Sequence, residues 1–262
     1  MPDAALVVLT SVTGGTLRAH GAMMCVSAEK VAGYISNGCV DADVIARARA
    51  RQSGTFVYGE GSPYRDITLP CGGRLELSIF QKIDSSMIEK AISKLKKREV
   101  VELELGGNSL TLSPRIKLRI AGRGAACIAL SELAQLSGFD VVLQSPDVDG
   151  LPQAQHLIDP NNPPHAEDDA WTAVVCLFHD HDWEPALLRQ ALGGEAFYIG
   201  AMGSERTHEI RCQNLMALGL SKLDVARIHG PIGLVDSQRH ARFLAVSILA
   251  EIIQSAQRAE LL

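Results

Sequence analysis

The chain has 262 residues, 47% of them hydrophobic, enough to build one large core or two of ordinary size. Its 25 basic and 30 acidic residues give a formal charge of -5 with no Lys/Arg-rich block, so a nucleic-acid partner has no electrostatic footprint. No apolar run approaches the roughly 18 residues of a membrane span, the N-terminus lacks a basic n-region and cleavage site, and the six cysteines stand singly. These features point to reduced thiols and a cytoplasmic address, with no membrane attachment.

In chain order, residues 6–12, 22–26, 31–35 and 75–80 read as strands, short apolar runs between glycine-rich stretches. A helix is expected from about Cys39 through Ala48, with Asp41 and Asp43 at the positive end of its dipole. Ser86-Met87-Ile88-Glu89 has the form of a capping box and predicts a second helix ending in the basic run 94–98. Gly106-Gly107-Asn108, flanked by 102–105 and 109–113, predicts a hairpin, and Pro114 marks the expected domain boundary, giving domains 1–113 and 114–262.

Beyond Pro114 strands at 116–121, 140–144, 173–178 and 197–199 alternate with helices at 125–137, 184–192, 204–218 and 239–257. This is the pattern of an α/β fold with a Rossmann-like parallel sheet. Ligands of such sheets bind where loops leave the carboxyl ends of strands. The loop Gly122-Arg123-Gly124-Ala125 can present amides and a helix N-terminus to an anion, or serve only tight packing. Gly200-Ala201-Met202-Gly203-Ser204 is a second such turn, with Ser204 placed as N-cap. His179 and His181 follow an apolar strand as a candidate metal pair without a third ligand, or as hydrogen-bonded loop residues, and His229-Gly230-Pro231-Ile232-Gly233 is a constrained loop just before the terminal segment. The acid that would grip a ribose diol is missing from the second strand, which ends Gln144-Ser145-Pro146 with Asp147 beyond the proline.

In the N-terminal half, Ser36-Asn37-Gly38-Cys39 sets a thiol where a turn meets a helix N-terminus, and Pro70-Cys71-Gly72-Gly73 sets another on a glycine turn. Each thiol alone reads more often as a buried inert one, and two such loops in one small domain shift the reading toward a ligand site. Gly14-Gly15-Thr16-Leu17-Arg18 adds a cation on a flexible loop, suited to an anionic head group.

FYIGAMGSERTHEIR at 197–211, LSKLDVARIHGPIGL at 220–234, AVSILAEI at 245–252, FHDHDWEPALLRQAL at 178–192, GYISNGCVDADV and LPCGGRLEL together resemble the XdhC/CoxF family, accessory proteins of xanthine dehydrogenase and related molybdenum hydroxylases. The resemblance implies an N-terminal α+β XdhC/CoxI-type domain followed by a Rossmann-like domain. It implies a chaperone, rather than a catalyst, that binds molybdenum cofactor (molybdopterin), protects its sulfurated form and delivers it to a xanthine dehydrogenase-type enzyme. A cysteine desulfurase and a second copy of the chain are further partners in this picture. Arg18, Asn37, Gly38, Cys39, Cys71, Gly72, Gly73, Gly122, Gly124, His179, His181, Gly200, Gly203 and Ser204 become the candidate cofactor contacts, with Cys39 or Cys71 nearest molybdenum. The chain departs from the family pattern at Gly15-Thr16-Leu17-Arg18, which lacks a proline, at Asn37, at Ala125 in place of a histidine, and across 235–240, the mark of a divergent member. The alternatives are an NAD(P)-dependent oxidoreductase using the Rossmann-like half, and an interaction scaffold without ligand.

Overall fold

The computed structural model describes residues 4–15, 18–36, 38, 40–63, 69, 72–179 and 182–262. The chain divides into two compact units, Met1–Pro114 and Arg115–Leu262.

The first unit is built on an antiparallel sheet of β1 (Ala5–Thr13), β2 (Met23–Val26), β3 (Val31–Gly33), β4 (Gly54–Gly59) and β5 (Arg74–Phe80), in the order β3-β2-β1-β5-β4. Helix α1 (Asp41–Arg49) and helix α2 (Ser85–Lys96) complete it with the hairpin β6 (Val101–Leu105) and β7 (Asn108–Leu112). The central strand β1 reads Ala-Leu-Val-Val-Leu without alternation because both of its faces are covered. Ala5, Val7 and Leu9 pack with Val44, Ala48 and Tyr58, while Leu6 and Val8 pack with Ala91, Val101, Leu103 and Leu110.

Three details differ from the sequence reading. Strand β4 has no counterpart in it, since this edge strand fully buries only Tyr58 and carries glycine at both ends. The cap of α2 is Asp84, whose carboxylate accepts the Ser86 N–H at 2.9 Å, so Ser86 lies inside the helix rather than capping it. The hairpin turn is Gly106-Gly107 alone, at φ 57° and 84°, and Asn108 already pairs with Leu105.

The second unit holds six parallel strands in the order β10-β9-β8-β11-β12-β13: β8 (Lys117–Gly122), β9 (Asp140–Ser145), β10 (Gln155–His156), β11 (Thr172–Leu177), β12 (Tyr198–Ala201) and β13 (Ile228–His229). Counted within the unit this is 3-2-1-4-5-6, the doubly wound order, with its switch point between β8 and β11. Helices α3 (Ala125–Leu136) and α7 (Ala241–Arg258) cover one face through Leu130, Ala245, Ile248 and Ile252. Helices α4 (Glu184–Leu192) and α5 (Glu205–Ala217) cover the other through Leu187, Leu188 and Leu215. The short strands β10 and β13 and the one-turn α6 (Lys222–Val225), closed by a Ser221–Asp224 capping box, were not foreseen from the sequence. Among the described residues no helix is long and apolar enough to cross a membrane.

Candidate functional site

At the switch point the Gly-x-Gly turn is tightly packed. A Cβ on Gly122 would stand 2.5 Å from the Leu177 carbonyl oxygen and 2.7 Å from Cys127 Sγ, so packing of β8 against β11 and α3 already demands a glycine there. Gly124, at φ 76°, is the N-cap of α3 and has open space around it. Beside this turn Gln144 and Ser145 end β9 fully buried. Gln144 accepts Arg119 Nη1 at 3.2 Å and donates to Gln155 Oε1 at 2.9 Å. The buried amide of Gln144 thus occupies the place where a ribose-binding acid would stand, and Asp147 lies exposed beyond it.

Open space lies on the other side of the switch, where a cleft of about 890 Å³ sits at the carboxyl ends of β11, β12 and β13. Phe178, Met202, Ile232 and Leu244 give it an apolar floor, and Ser204, Arg206, Asp236 and Gln238 a polar rim. Of the expected site residues, His179, Gly203 and Ser204 come together here. Gly200 does not line the cleft: inside β12, its Cβ would meet Ile232 Cγ2 at 2.6 Å and Tyr198 at 2.7 Å.

Two charge constructions hold the walls, and the sequence reading singled out neither. On one side Arg211 and Glu184, both buried, pair through Nε–Oε2 at 2.9 Å and Nη2–Oε1 at 3.0 Å. Arg211 Nη2 also donates to the Met202 carbonyl at 2.6 Å, fixing the turn that leads to Ser204, which caps α5 by accepting the Thr207 N–H at 3.2 Å. Arg211 Nη1 faces His208 Nδ1 at 3.4 Å; since a guanidinium only donates, the imidazole proton sits on Nε2, toward Cys212 Sγ at 3.5 Å. Burial first, then the neighbouring Arg211 charge, lowers the His208 pKa and keeps that ring neutral. On the other side Glu251 and Ser247 of α7 hold the loop 229–235, Ser247 Oγ accepting the Val235 N–H at 2.7 Å. The available sequence signal for Glu251 is its position as the one charge in the apolar run 244–253.

In the first unit three loops meet at one end of the sheet. The backbone of Gly73 abuts Gly14 and Gly59, whose Cβ atoms would stand 2.9 Å from Gly73 Cα and 2.0 Å from its carbonyl oxygen. The Arg18 guanidinium lies 4.7 Å from the Tyr34 ring centroid, joining the β1–β2 loop to the β3–α1 loop. Gly72, at φ 66°, is exposed beside them. The amides of Ile35, Ser36 and Gly38 donate to the Asp41 carboxylate at 2.9–3.0 Å, so the turn expected to attract an anion is already served by an internal one. Asn37, Cys39, Cys71 and His181 lie outside the described residues. Among the described thiols, burial pushes Cys127 and Cys176 up to about 12, and Cys212 is raised by burial as well, which marks them as packing groups.

Fold and cleft define a two-unit α/β protein whose second half is a doubly wound, Rossmann-like domain with its open site beyond the switch point. Residues 118–252 match the XdhC Rossmann domain and residues 2–59 match the XdhC and CoxI family, and the chain belongs to the XdhC family. It is 32% identical over 277 aligned residues to the molybdenum cofactor insertion chaperone PaoD of Escherichia coli (strain K12), covering 95% of this chain and 82% of PaoD. A crystal structure described as a xanthine dehydrogenase from Bacillus halodurans superposes with a TM-score of 0.73 at 18% identity, over 98% of this chain and 92% of that one, which shows a shared fold.

Proposed function

We propose that this protein is a molybdenum cofactor insertion chaperone that binds the cofactor as cargo, shields its sulfurated form and hands it to a xanthine dehydrogenase-type hydroxylase. The observation that carries the reading is kinship with PaoD along 95% of the chain, across both units. The chemistry of the loops fits such a cargo, an anionic pterin with a terminal phosphate and a hydrolytically fragile Mo=S group. The cleft of the second unit combines an apolar floor that excludes water with a polar rim, and His179, Gly203 and Ser204 are its proposed contacts. In the first unit Arg18, Gly72 and Gly73 stand on loops that touch one another, and Cys39 and Cys71, on two of those loops in sequence, are the proposed soft ligands toward molybdenum. Asn37, Gly38, Gly124 and His181 remain proposed contacts, while Gly122 and Gly200 contribute the close packing beneath them. Sulfur supply by a cysteine desulfurase and action as a homodimer belong to the same proposal.

Anaerobic co-purification from a host that makes the cofactor tests it. The expected result is near-stoichiometric molybdenum and oxidised-pterin fluorescence, reduced in Cys39→Ala and Cys71→Ala with unchanged melting curves. Folded protein without either signal, and without effect on reconstitution of an apo-hydroxylase, overturns it. The strand order also favours nucleotide binding in general, yet the end of β9 offers the buried amide of Gln144 where NAD recognition wants a carboxylate. Titration with NAD and NADP is expected to give no heat.

A further inference from the structure

Between β13 and α7 the far wall of the second-unit cleft is irregular chain, and one helix face supplies the acceptors for its amides. Glu251 of α7 meets His229 Nδ1 at 3.1 Å with one carboxylate oxygen and takes the Gly233 N–H at 2.5 Å with the other. One turn earlier, Ser247 Oγ takes the Val235 N–H. The wall between these fixed points has no slack. The His229 ring packs on Tyr198 with centroids 4.5 Å apart, and a Cβ on Gly230 would lie 2.2 Å from His208 Nδ1. At Gly233, φ 107°, a Cβ would lie 2.6 Å from Ser247 Oγ. Burial works to raise the Glu251 carboxyl, but His229, the Gly233 amide and Tyr198 together hold it below the usual carboxylate range, so the clasp is ionised at neutral pH. Pro231, Ile232 and Gly233 line the cleft, whereas Glu251 does not.

We propose that Glu251 is the positioning residue of this cleft: by clasping His229 and Gly233 it sets the Pro231–Gly233 wall against which the cargo is retained. The proposal rests on the reading of function above. A charge-assisted hydrogen bond to a backbone amide is strong and directional, and here it acts on the wall without touching what the wall holds. The groups facing Glu251 are His229 from β13 and Tyr198 from β12, with Ser247 one turn away on its own helix.

The test compares full-length wild type, E251Q and E251D. In E251Q, hydrogen exchange of the segment 229–238 is expected to rise about tenfold or more while exchange in α3 stays put. Protein loaded with cofactor by co-expression is expected to lose oxidisable pterin correspondingly faster. Lowering the pH into the carboxylate range speeds that loss in wild type and leaves E251Q flat, and E251D, which restores the charge, brings the pH dependence back. Unchanged exchange in E251Q overturns the proposal. Faster exchange with pterin retention equal to wild type overturns it too, while leaving the chaperone reading intact. A wild-type protein that never holds cofactor removes the chaperone reading instead, and the exchange comparison then judges the clasp alone.

Discussion

Arg119, on the central strand β8, is 1% exposed and is met by the Asp168 carboxylate in a two-pronged pair, with Nε to Oδ1 at 2.9 Å. Its neighbours Leu118 and Ile120 point into the core under α3 and α7, so Arg119 faces the other side of the sheet, where the loop residue Asp168 supplies its counter-charge. Removing one partner of such a pair strands a charge in low dielectric. Asp168→Asn is expected to cost about 3–5 kcal/mol in urea unfolding, and Arg119→Met with Asp168→Leu to regain much of it. A loss below about 1 kcal/mol in the single variant would show that water reaches the site. Asp43 makes the complementary case in the first unit. Burial raises its carboxyl, but Arg47 and the Tyr58 hydroxyl, each at 2.6 Å, outweigh that and hold it below the ordinary value. A carboxyl lowered on folding stabilises the native state above its unfolded pKa and loses that contribution as pH falls through its folded one. The stability gap between wild type and Asp43→Asn is therefore expected to close as pH drops from neutral through the acid range. A gap that ignores pH would contradict the assignment.

Ser204 belongs to an element before it belongs to a site, since it ends the β12 turn and caps α5. Ser204→Ala is expected to cost about 1 kcal/mol by thermal melting, and Ser204→Asp, which can also cap, almost nothing. Cofactor retention in the Asp variant then separates cap from contact, because a cargo contact suffers there while a pure cap does not. Elements like α5 were legible because Gly-x-x-Gly-Ser followed by a polar helix is a local signal, and the strands before them are continuous apolar runs buried on both faces. The strands β10 and β13, two residues each, were not legible because their pairing is decided by distant neighbours. Asp84, Ser85 and Ser86 are all capping residue types, and only the extended backbone at Asp84 selects among them. Sequence likewise cannot tell a glycine kept free for a ligand from one pressed against a neighbour, as Gly122 and Gly200 are. Glu251 escaped notice because its meaning lies in an amide 18 residues upstream.

At the scale of the whole molecule, each unit carries the apolar material of a domain. Among the described residues, the hydrophobic clusters of the second unit draw on residues from Leu118 to Ile253, and those of the first on residues from Ala5 to Leu112. The two family matches fall on the same two sides of Pro114. A unit with its own two-sided core and its own buried ion pairs, Arg119–Asp168 and Arg211–Glu184 in the second, has what autonomous folding requires. Fragment 115–262 is expected to give a native circular dichroism spectrum and one cooperative melt. It is also expected to keep the slow exchange of segment 229–238, since Glu251, His229 and Ser247 all travel with it. A fragment with helical signal but no cooperative transition would mean that the second core is completed by residues before Pro114. Under the proposed function, pterin retained by the folded fragment reports what the second-unit cleft holds alone, whereas pterin retained by the full chain carrying Cys39→Ala and Cys71→Ala reports what both units hold without those two thiols, so the difference isolates the contribution of the first unit's loops.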